Sequence, residues 1–203
     1  MISLLQFVLL CATWYHICYT QRHDSGMASD EMMDKVRKLL NGTERLAALY
    51  RTNWSLIMDE TRCWTSIKNG TDDVGFRHSL RYQLLTNEIR LTSNWIRRRL
   101  TGFYYVGRQQ GNATVVLKAF DEQWRMHPAS GNFSILYADN KCFALKKKEG
   151  PPDKPECAAW ILRNTLNETH NECIQNFNKT CVRSGTDVHK YDKEKCKKNS
   201  AEE

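Results

Sequence analysis

Six cysteines lie beyond residue 20 of this 203-residue chain: Cys63, Cys142, Cys157, Cys173, Cys181 and Cys196. Five of them fall in the C-terminal third. An even set in a chain too long to be a miniprotein implies an oxidised, cross-linked, extracellular domain. It also implies that an early strand is tied to a late tail, which suits a barrel or sandwich whose first and last elements are stapled together.

Two further cysteines, Cys11 and Cys18, belong to the leader. Residues 2–12 are almost wholly apolar, and no charged side chain precedes Arg22. That apolar run is too short to cross a bilayer core of about 30 Å, so it reads as a signal peptide, with cleavage expected after Thr20. Seven Asn-x-Ser/Thr triplets, at Asn41, Asn53, Asn69, Asn112, Asn132, Asn167 and Asn178, exceed chance and point to a secreted glycoprotein. Each modified asparagine must be at the surface. The expected organisation is a signal peptide (1–20), a loose N-terminal segment (21–28), one domain (29–196) and a flexible tail (197–203).

The formal charge is +7. In a secreted chain this favours acidic ligands, heparin-like glycans or cell surfaces over nucleic acid. No membrane span is expected, and heavy glycan cover argues for a monomer.

The pattern opens as a helix and then changes period. Ser29 or Asp30 can cap a helix whose apolar stripe is Met33, Val36, Leu39 and Leu40, ended by Asn41-Gly42. Residues 44–52 and 61–67 read as strands, with a turn at Asn69-Gly70. The cleanest alternation is 76–84, where Phe76, His78, Leu80, Tyr82 and Leu84 share one face. Further strands are expected at 90–106, 113–120, 132–137, 141–147 and 157–163. A last helix fits 167–181. The tally is an eight-stranded antiparallel all-β fold with an N-terminal helix and a C-terminal helix packed outside. A sandwich has two dry inner faces, whereas the 76–84 face carries His and Tyr; a barrel with a semi-polar interior accounts for this better.

Catalytic signals are missing. The five histidines after residue 20 form no metal-spaced pair, and no Gly-x-Ser-x-Gly, phosphate loop or Cys-x-x-Cys occurs. Neither an enzyme, a metal nor a cofactor is expected.

The stretch Phe133-Ser-Ile-Leu-Tyr137-Ala-Asp139-Asn-Lys-Cys142, then Cys157-Ala-Ala-Trp160, Cys173-x-x-x-Phe177 and Tyr191-Asp192-Lys-Glu-Lys-Cys196, resembles the tick salivary lipocalins of the histamine-binding family. Leu49-Tyr-Arg-Thr52 and Arg62-Cys63 resemble that family's first two strands. The resemblance implies a lipocalin-like barrel secreted in saliva, with disulfides Cys63–Cys196, Cys142–Cys173 and Cys157–Cys181. It implies sequestration of a small host inflammatory mediator, a biogenic amine such as histamine, as an aid to evading host defence. The family's amine binders place an acid two positions before the strand Trp, where this chain has Ala158, and another in the first strand, where it has Asn53-Trp54-Ser55-Leu56. Two alternatives follow: a scavenger of lipid mediators (leukotriene or fatty acid), or a protein-binding antagonist of complement or coagulation. The expected cavity residues are Tyr50, His78, Tyr82, Arg98, Phe133, Tyr137 and Trp160. Period-two alternation sends Arg98 to the side of Ile96 and Leu100, where it can grip a ligand carboxylate.

Overall fold

The computed structural model describes residues 28–52, 61–86 and 94–197. The expected signal peptide, nearly all of the loose N-terminal segment, the sequon at Asn53 and tail residues 198–203 lie outside the described residues. A helix, α1, occupies residues 28–41. Eight strands follow: β1 (Leu46–Thr52), β2 (Thr61–Asp72), β3 (Gly75–Thr86), β4 (Asn94–Gln109), β5 (Asn112–Phe120), β6 (Gly131–Ala138), β7 (Cys142–Lys147) and β8 (Cys157–Leu162). Helix α2 (Asn171–Cys181), a short β9 (Val188–Lys190) and α3 (Lys193–Lys197) complete the chain.

Each strand pairs antiparallel with the next, β8 pairs with β1, and β1 pairs with β2, so the eight strands close into a barrel. Closure removes the exposed edges that an open sheet would present. The closing seam is short. β1 meets β2 only at Leu46↔Ser66 and Ala47↔Thr65, and beyond these pairs the two strands diverge. The outer strand β9 lies along β1 beside this seam.

The alternation of β3 is realised as expected. His78, Leu80 and Tyr82 are buried inside, with Phe76 and Leu84 packed against them. Trp64, Leu100, Tyr104, Leu117, Phe133, Phe143 and Trp160 share that interior. Gly102 lies opposite His78, and a Cβ there would sit 2.8 Å from Leu80, so its bare backbone is what lets the core close.

The stripe of α1 joins the same core, since Met33, Val36, Leu39 and Leu40 cluster with the barrel interior. Arg37 donates to the Val106 carbonyl, Lys68 to Asn41, and Arg108 pairs with Asp30. Helix α1 therefore plugs the end where β2–β3 and β4–β5 turn. Helix α2 packs outside on β6, β7 and β8, through Cys173, Phe177 and Cys181 at four-residue spacing.

Three details differ from expectation. Ser29 and Asp30 lie within the helical turns of α1 rather than capping them. Asn69-Gly70 is inside β2, where the register shifts between Lys68 and Gly70, and the chain reverses at Asp73-Val74. The bulge absorbs the extra residue that would have made a turn. The last helix, expected from residue 167, starts only at Asn171, and a single 3-10 turn at 163–165 precedes it.

Candidate ligand site

The barrel interior is packed against α1 at one end, and at the opposite end it carries a second buried cluster beside clefts at the rim and the seam. At the α1 end, the His78 ring donates through Nε2 to the Leu40 carbonyl at 2.9 Å. Nδ1 then accepts from the Ser66 hydroxyl at 2.8 Å, and Tyr104 packs edge-on against the ring. Burial lowers the His78 pKa to about 4, opposed in part by the Leu40 hydrogen bond and assisted by the Lys68 charge. His78 is thus a satisfied clamp between barrel and helix. Trp160 and Phe133 are 1% and 2% exposed and belong to the packed interior wall.

The opposite end is built from other residues. Trp64 and Tyr82 stack at 4.2 Å with an interplanar angle of 5°. His127 leans over both from the β5–β6 loop, with its Nε2 3.4 Å from the Tyr82 hydroxyl. Burial raises the Tyr82 pKa, and the neighbouring Arg98 charge opposes this. Arg98 is the cross-strand partner of Tyr82, which puts it on the inward face, yet it is exposed at the rim. Arg97 and Arg99 take the outward face.

Two expected cavity residues are on the wrong side of the wall. Tyr50 packs against Phe177 of α2, ring to ring at 6.0 Å, and Tyr137 donates its hydroxyl to Glu172 of α2 at 2.8 Å. Each lies at a register shift, between Ala48 and Tyr50 in β1 and between Ile135 and Tyr137 in β6. A bulge adds one residue and inverts the alternation beyond it. Strict alternation from Ala48 or Ile135 would have turned both tyrosines inward.

The first bulge turns Arg51 inward. Its partner on β8 is Ala158, an interior residue, and Arg51 is 5% exposed. It donates to the Thr61 hydroxyl at 3.2 Å and to the Thr61 carbonyl, bridging the diverging β1 and β2. Burial lowers its pKa to about 10, so the guanidinium stays charged at neutral pH. Among the described residues, no carboxylate pairs with it. A cleft of about 330 Å³ beside the seam is lined by Arg51, Ala48, Thr61 and Trp64 together with Trp95 and C-terminal residues that include Lys190, Lys195 and one carboxylate, Asp192, which makes no ion pair with Arg51. Arg51, Trp64 and His127 were missed from sequence, and only the bulge could have revealed Arg51.

The three disulfides are Cys63–Cys196, Cys142–Cys173 and Cys157–Cys181, the pairs implied by the family resemblance. Cys63 adopts the left-handed backbone (φ 60°), rare for a non-glycine residue, at a bulge between Arg62 and Thr65. Of the six described sequon asparagines, five are exposed; Asn132 is half-buried, and its Nδ2 donates to Glu149. No cluster of metal-ligating side chains and no helix long and apolar enough to cross a membrane occurs among the described residues.

No protein-family model matches the chain, and no curated protein matches it. Among solved structures, the chain is similar to Japanin from Rhipicephalus appendiculatus, solved with bound cholesterol. The TM-score is 0.55 at 15% identity, over 75% of this chain and 95% of Japanin.

Proposed function

From a lipocalin-like barrel closed by eight antiparallel strands, we propose that this protein is a secreted scavenger of the tick salivary type. Its ligand in this reading is an amphiphile with a carboxylate head, such as a fatty acid or leukotriene. The observation that carries the reading is Arg51, a buried cation facing the barrel interior without a carboxylate partner among the described residues. Burying an unpaired charge is costly, and a ligand carboxylate held bidentately offsets that cost. Arg98 adds a second cation on the same face at the rim. An aliphatic tail is complemented by Trp64 and Tyr82. Japanin's cholesterol is a precedent for a lipid in a barrel of this shape.

An amine ligand fits less well. The eight barrel strands contain one carboxylate, Asp72, which lies exposed at the plugged end and accepts from Tyr105. A buried ammonium needs a buried acid, and the inward position at Ala158 supplies none. A non-enzymatic role accords with this barrel, whose neighbour is a ligand-binding protein.

Calorimetric titration with arachidonate, arachidonyl alcohol and histamine tests the reading. Arachidonate is expected to bind at micromolar or tighter affinity. Arg51→Met should weaken it at least tenfold while leaving the alcohol within a factor of two. Preference for histamine, or equal losses for acid and alcohol, would sink the proposal.

A further inference from the structure

We infer that the outer face of β2–β4 is a docking surface for a sulfated glycan of the heparin type, which shares Arg98 at the rim with the proposed ligand site but otherwise stands on separate arginines. The register sets the geometry. Thr65, Arg81 and Arg99 are successive cross-strand partners on β2, β3 and β4, so Arg81 and Arg99 project side by side from the outer face. Arg97 lies two residues from Arg99 and shares that face. From the other side, Arg45 and Arg163 flank the seam, held together by the Arg163 amide donating to the Arg45 carbonyl at 2.7 Å. With Arg98 from the rim, six arginines line one cleft of about 590 Å³, against a single carboxylate, Glu122.

Like charges placed directly opposite across strands destabilise a sheet. Arg81 and Arg99 stand in that relation, and Arg98, Arg99 and Arg163 make no ion pair among the described residues. Residues 94–100 pair with β3 but not with β5, whose pairing begins at Thr101, and charges do guard such an edge against unwanted strand addition. That role accounts for the 97–99 run alone. It does not require Arg45, Arg81 and Arg163 to converge on it from three other places in the chain.

The cleft crosses three strands, roughly 10 Å from β2 to β4 at the usual strand spacing. This is wider than one sulfate or phosphate and suits a polymer with repeated anionic groups. Planar guanidinium forks bind such oxyanions bidentately. No sequon asparagine is among the lining residues.

The test is calorimetric titration of the glycosylated chain with a heparin decasaccharide at 0.15 M salt. Arg81→Ser with Arg99→Ser is compared with a charge-matched control, Lys38→Ser with Lys179→Ser, on α1 and α2. Circular dichroism verifies that both fold. The expected result is micromolar binding, weakened at least tenfold in the arginine pair and less than twofold in the control. Equal losses in both pairs would reduce the effect to net charge and overturn the proposal. So would absence of heparin binding, or binding to phosphatidylserine vesicles that heparin does not displace.

Discussion

His78 joins two elements through one ring, and this makes the barrel acid-sensitive. Its Nε2 proton is committed to Leu40 and its Nδ1 accepts from Ser66, and burial of the ring disfavours the charged form. With a folded pKa near 4 against an ordinary 6.5, the unfolded chain binds the proton first as pH falls. No stability is lost to this group above about pH 6.5. Roughly 3 kcal/mol is lost progressively down to pH 4. Urea unfolding from pH 7 to 4 should show that slope in the native protein and a flatter one in His78→Gln. Parallel curves would refute the assignment. The same ring shows how a residue on a clean alternating strand is readable from sequence as interior, while its role as a clamp rather than a ligand contact depends on α1, 38 residues away.

Elements owe their placement to amphipathic pattern, and their exceptions to bulges. The α1 stripe and the β3 alternation are both legible, because periods of 3.6 and 2 report the buried face directly. Leu40 is wholly buried where α1 meets the barrel. Leu40→Ala is expected to cost about 2–5 kcal/mol by removing buried methyls and leaving a cavity, measured as a shifted urea midpoint with an unchanged slope. A cost below 1 kcal/mol would mean the helix is not part of the cooperative core. Tyr50 and Tyr137 failed as cavity candidates for a reason no local pattern displays. A bulge is a relation between two strands, and it shifts every side chain beyond it to the other face. The shift that moved Tyr50 out brought Arg51 in, so the error and the missed site have one cause.

For the whole molecule, the weak point is the seam, where β1 and β2 share two residue pairs. Cys63–Cys196 straps the C-terminal segment to β2 there and closes a loop of 133 residues. In the chain-entropy model this link stabilises by roughly 5 kcal/mol, against roughly 3.5 kcal/mol for each of the two shorter loops. Replacing Cys63 and Cys196 by serine should therefore lower unfolding stability more than replacing either other pair. A smaller loss would locate the stability in α2 and its two disulfides instead.

Composition and local order were enough to determine that the chain is cross-linked and mostly β, with one helix before the barrel strands and one after them, because these follow from residue chemistry and short-range periodicity. The folded chain alone decided which arginine is buried and which arginines converge. Those facts depend on register, bulges and the crossing of strands far apart in sequence, and no window along the chain contains them.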